Sequence, residues 1–152
     1  MTDHRDERTT PHGMWRYGQD FYSAACVVRE HHKAESFMPF HFLIYQSIEL
    51  SLKAYLLKKG ITVAELKGKK YGHDVKKILD ASLENGLKDH VALDQTHIAV
   101  IKIANEEYRN KRFQYIQTGS MTVPDVELII NAARLLTVGL EAVCCIPRHS
   151  TK

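Results

Sequence analysis

Residues 39–59 read PFHFLIYQSIELSLKAYLLKK, and the spacing of their apolar side chains decides the fold. Ile44, Ile48, Leu52, Tyr55 and Leu56 recur at the intervals that place side chains on one face of an α-helix. Pro39 suits the first helical position, where an N–H is left over in any case. Lys58 and Lys59 suit the negative end of the helix dipole, and Gly60 is the residue expected just past the last turn. At 1.5 Å per residue this helix is roughly 30 Å long. His41, Gln46, Glu49 and Lys53 interrupt it, so it fails as a membrane span, which needs about 20 predominantly apolar residues.

The same periodicity extends outward in both directions, with almost no strand signal. It predicts a first helix over Met14 to His32, a third from His73 or Asp74 to Gly86, and a fourth over Val91 to Tyr108. A last helix starts at Pro124 and presents Ile129, Ile130, Ala133 and Leu136. The expected fold class is all-α, an up-and-down bundle of four to five helices. Residues 1–13 (MTDHRDERTTPHG) read as a disordered leader, 14–146 as the bundle and 147–152 as a polar tail. Residues 61–72 form a basic connector, and Arg109–Met121 shows little periodicity.

Composition narrows the function classes. The chain has 152 residues with 44% hydrophobic and 26% charged, the make-up of one ordinary globular domain rather than a disordered or fibrous one. Lys and Arg total 21 against 18 Asp and Glu, a net charge of +3 that allows nucleic acid without demanding it. The three cysteines, Cys26 and the neighbours Cys144 and Cys145, contain no CxxC and point to a reduced, cytoplasmic chain. Residues 1–13 have no apolar stretch resembling a signal peptide.

Several chemistries are excluded by pattern. No Gly-rich phosphate loop follows a strand, and no G-x-S-x-G occurs. Nine histidines raise the question of a metal, but no Glu-x-x-His exists. Asp94 and His97, with His90 on the same helical side, read as surface residues, so no metal and no cofactor are expected.

Glu49 and Lys53 stand in the favourable i, i+4 order. The ordinary reading is a solvated stripe on a bundle helix; the alternative is a polar pair held at a helix–helix or subunit interface. Two tracts interleave cations with aromatics, Lys67–Lys77 and Tyr108–Tyr115. Such tracts are either solubilising charge runs or phosphate contacts beside stacking rings.

The string Ser47-Ile48-Glu49-Leu50-Ser51-Leu52-Lys53-Ala54-Tyr55-Leu56-Leu57, then Gly60, then Gly72-His73-Asp74-Val75 with Ile78 and Leu79, resembles the HEPN domain (higher eukaryotes and prokaryotes nucleotide-binding). Tyr108-Arg109-Asn110-Lys111-Arg112-Phe113 is similar to that family's later Tyr-x-x-x-Arg-aromatic stretch. The likeness spans about Tyr17 to Val143 in element order. It implies an up-and-down helical bundle and a homodimer, in many members paired with a minimal nucleotidyltransferase in toxin–antitoxin or defence systems. It also implies a possible metal-independent ribonuclease, using an Arg and a His a few residues later at the dimer interface. This chain departs from that pattern: Gln114 to Gly119 follow Arg112 with no His, and the one formal match, Arg5 with His12, falls in the leader.

The leading expectation is a non-catalytic HEPN-like domain that binds nucleotide, RNA or a partner protein. Its candidate residues are Glu49, Lys53, His73, Asp74, Tyr108 and Arg112. Glu49 and Lys53 would orient polar contacts, His73 and Asp74 would fix the turn, and Tyr108 and Arg112 would stack and contact phosphate. The alternative is a ribonuclease in which His73 and Arg112 converge as a rearranged catalytic pair.

Overall fold

The computed structural model describes residues 5–31 and 36–145. Among these residues there is no strand, and the chain forms an all-α, up-and-down bundle. In order the helices are α1 (Pro11–His31), α2 (Met38–Lys58), α3 (Val63–Lys67), α4 (Val75–Glu84), α5 (Gln95–Ile103), α6 (Asn105–Arg109) and α7 (Val126–Cys144). Both α3 and α6 are five-residue turns, so the longer elements make the five-helix bundle that periodicity predicts.

The central helix is α2, which packs against α1, α7 and α4. Phe40, Ile44, Tyr45, Ile48, Leu52, Tyr55 and Leu56 are fully buried along it. Ser47, Glu49, Ser51 and Lys53 are buried as well, so the stripe seen in the sequence is one side of a helix enclosed all round. Polar groups buried this way generally find partners, Ser51 Oγ being an exception among the described residues. Ser47 Oγ donates to the Gly18 carbonyl of α1 at 2.6 Å, and Tyr45 OH donates to the Val100 carbonyl of α5 at 3.1 Å. Trp15 Nε1 donates to the Thr137 carbonyl at 2.9 Å, which ties α1 to α7. Gly60 takes φ 99° just past α2, as expected of a residue ending a helix.

Four boundaries depart from expectation. Residues 5–13, read as a disordered leader, contain a 3-10 turn at Asp6–Arg8 and the start of α1. The 61–72 connector contains α3, because Thr62 and Glu65 form a capping box. The expected fourth helix is divided: Asp94 caps α5 only at Gln95, and Ala104 separates α5 from α6. The last helix starts at Val126, with the Asp125 carboxylate accepting from the Leu128 N–H at 3.0 Å. The polar tail at 147–152 lies outside the described residues.

Cys144 is buried near the end of α7, and burial together with neighbouring Cys145 pushes its thiol up to about 12. It packs as a small apolar side chain. No helix among the described residues is long and apolar enough to cross a membrane.

Candidate functional site

Gln46, Glu49 and Lys53 follow one another at three and four residues along α2, so they share a side. That side meets the turn before α4 and the single turn α6. Lys53 Nζ donates to Glu49 Oε1 at 2.6 Å and to the Gly72 carbonyl at 2.6 Å. Tyr108 OH donates to Glu49 Oε2 and lies 2.7 Å from Gln46 Oε1. His73 Nδ1 stands 3.1 Å from Glu49 Oε2. Glu49 is 2% exposed and Lys53 7%, so this is a buried ion pair whose remaining hydrogen-bonding capacity is filled by neighbours. The interface reading of Glu49 and Lys53 therefore replaces the solvated-stripe reading.

Burial, followed by the Glu49 charge and hydrogen bond, holds the Tyr108 phenol far above its ordinary value. Tyr108 thus stays a neutral donor. Its ring lies against Tyr45 with centroids 5.5 Å apart, and the residue is 5% exposed. The expected stacking role for Tyr108 does not hold, because no face of a ring so enclosed is open to a base.

Asp74 is the N-cap of α4. Its Oδ1 accepts from the Lys77 N–H at 3.1 Å and from Asn105 Nδ2 at 3.1 Å, while Oδ2 stands 3.3 Å from Arg109. Asn105 Oδ1 in turn accepts from the Lys76 N–H at 3.2 Å. Asp74 fixes the turn as expected. His73 instead reaches back to Glu49, and its Nε2 makes no hydrogen bond among the described residues. With Glu49 as acceptor, Nδ1 is the donor, and in the neutral ring Nε2 keeps its lone pair.

Over this turn lies a cleft of about 200 Å³ lined by Lys69, His73, Asp74, Lys77 and Arg109, among others. Arg112 is elsewhere. Its Nη2 donates to the Ser120 carbonyl at 3.1 Å, Nη1 lies 3.5 Å from Glu107 Oε1, and it lines a separate cleft with Met38 and Phe113. The cause is the backbone: α6 ends at Arg109, and Lys111 follows in the left-handed region at φ 60°. His73 and Arg112 line different clefts, and the arginine beside His73 is Arg109. Lys69, Lys77 and Arg109 belong to the two basic tracts but were not singled out from the sequence. The signal that finds them is position, since Lys77 follows the Asp74 cap by three residues.

Asp94 and His97 close the N-terminus of α5. His97 N–H donates to Asp94 Oδ1 at 2.9 Å and the Asp94 N–H donates to His97 Nδ1 at 3.2 Å, a reciprocal cap on α5.

The family model for the HEPN domain matches residues 14–138, most of the chain. The chain belongs to the HEPN domain family. No curated protein and no solved structure matches it at a significant level. In this HEPN domain the Glu-x-x-x-Lys and Gly-His-Asp segments meet in one place. The first builds the buried ion pair, and the second supplies the carbonyl, imidazole and cap that surround it.

Proposed function

We propose that this HEPN domain binds a phosphate-bearing ligand, a nucleotide or a stretch of RNA, in the cleft over the α4 N-terminus, without cleaving it. One observation carries the reading: Lys69, Lys77 and Arg109 converge with His73 on a single cleft whose floor is anchored by the Glu49 cluster. Asp74, the one carboxylate on the lining, is committed to the α4 cap, and Arg109 lies 3.3 Å from both Asp74 and Glu106, while Lys69 and Lys77 have no ion-pair partner among the described residues. Guanidinium and ammonium groups held so are phosphate ligands by charge and geometry. The family resemblance supplies the context: a cytoplasmic homodimer, acting with a minimal nucleotidyltransferase in a toxin–antitoxin or defence-type pair.

A second reading rests on a specific observation. Glu49 orients His73 through Nδ1, leaving Nε2 as a base, with Arg109 on the same cleft wall. A metal-independent ribonuclease requires those two roles, a base for the 2′-OH and a cation for the developing phosphate charge. Arg109 takes the place in it that the sequence assigned to Arg112.

One experiment separates the two. Purified protein is incubated with a mixed single-stranded RNA pool in EDTA, beside His73→Ala and Arg109→Ala, and run on both denaturing and native gels. Binding without cleavage predicts intact RNA on the denaturing gel and a retarded band that Arg109→Ala weakens. Cleavage lost in both variants establishes the ribonuclease reading and overturns the first.

A further inference from the structure

A second opening lies away from the α4 cleft, between the N-terminal 3-10 turn, α1 and α3. It is an open cleft of about 680 Å³, large enough for a small molecule. Its floor is apolar, made by Met14, Leu50 and the buried Val63. Tyr17 stands on its wall with 66% of its surface exposed, an unusual position for a ring in so compact a bundle.

The charges on this opening are nearly balanced. Lys67 is paired with Asp6 of the 3-10 turn, which joins α3 to the N-terminal segment across the cleft edge. Arg8 and Arg16 line the cleft and have no ion-pair partner among the described residues, while Asp20 is the one carboxylate on the wall. The balance left for a ligand is one positive charge. An apolar floor, an exposed tyrosine ring and planar guanidinium groups suit a flat aromatic body, which they hold by stacking and area burial. A single net positive charge suits one acidic group and disfavours a polyphosphate.

We propose that this cleft binds a small aromatic monoanion, a carboxylate or sulfonate, with its ring on Tyr17 and its acid between Arg8 and Arg16. The site is independent of the α4 cleft and takes a ligand of different chemistry.

The test is an amide NMR titration of the full chain with 2-naphthoate, beside the uncharged 2-naphthylmethanol. The expected result is saturable one-to-one binding, with shifts centred on Gly13, Arg16, Tyr17 and Val63. Losing a charge-assisted hydrogen bond in Arg16→Ala, or the acid in the alcohol probe, weakens binding about tenfold. Tyr17→Ala weakens it as well, and the unperturbed remainder of each variant's spectrum reports that it is folded. Three results overturn the proposal: no saturation, equal binding of acid and alcohol, or binding that survives Arg8→Ala and Arg16→Ala together.

Discussion

Glu49 accepts from Lys53, Tyr108 and His73, three donors brought from α2, α6 and the turn before α4. Removing the carboxylate leaves the Lys53 ammonium buried with only the Gly72 carbonyl. Glu49→Leu is expected to cost about 3–5 kcal/mol in urea unfolding, because breaking a buried pair leaves an uncompensated charge. The double variant Glu49→Leu/Lys53→Met should recover most of that loss. His41 offers a second residue-scale prediction. It is 2% exposed between Phe40 and Phe113, and burial lowers its pKa from 6.5 to about 4. The unfolded chain therefore takes up a proton below about pH 6.5 that the folded ring refuses until about pH 4. Stability from the neutral ring is complete above that window and is lost as pH falls through it, on the order of 3 kcal/mol. Equilibrium unfolding of His41→Phe should show a flatter dependence between those two pH values than the parent chain.

Helix α1 crosses α2 closely at Gly18, where an added Cβ would lie 2.7 Å from Ser51 Oγ and 3.2 Å from the Ser47 carbonyl. Gly18→Ala gains helix propensity in isolation, yet the crossing must open to admit the methyl. We expect a net loss of about 1–3 kcal/mol, read as a lower denaturation midpoint. On α5, Asp94→Ala should lower the denaturation midpoint through the lost cap, and neither zinc nor a chelator should change the result. The long helices were legible from their apolar periodicity, helped by Gly60 just past α2 and by the Asp caps of α4, α5 and α7. The break at Ala104 was not, since alanine is the best helix former and nothing local stops the helix there. Its cause is tertiary: Asn105 turns to bond Asp74 and the Lys76 N–H at the start of α4. Helix α3 was legible in principle, as Thr62-x-x-Glu65 is a capping signature inside what reads as a basic connector.

At the scale of the whole molecule, the site is a product of how α1, α4 and α7 surround α2. The sequence shows Glu49 and Lys53 at helical spacing, and only that enclosure turns a common surface pair into a buried anchor for His73. Arg109 and Arg112 are equally basic in the sequence; the end of α6 and the left-handed Lys111 send one to the α4 cleft and the other to Glu107 and Ser120. On this reading the cleft of Lys69, Lys77 and Arg109 binds phosphate. The most direct test is fluorescence anisotropy of a labelled single-stranded RNA across a salt series, for the parent chain and for Lys77→Ala/Arg109→Ala. Each cation lost from a single-strand contact lowers the slope of log K against log salt by roughly 0.7. The expected result is salt-dependent binding by the parent, with lower affinity and a slope smaller by roughly 1.4 in the double variant. Binding with the same affinity and slope in both proteins, or no binding by the parent, would overturn phosphate binding at this cleft.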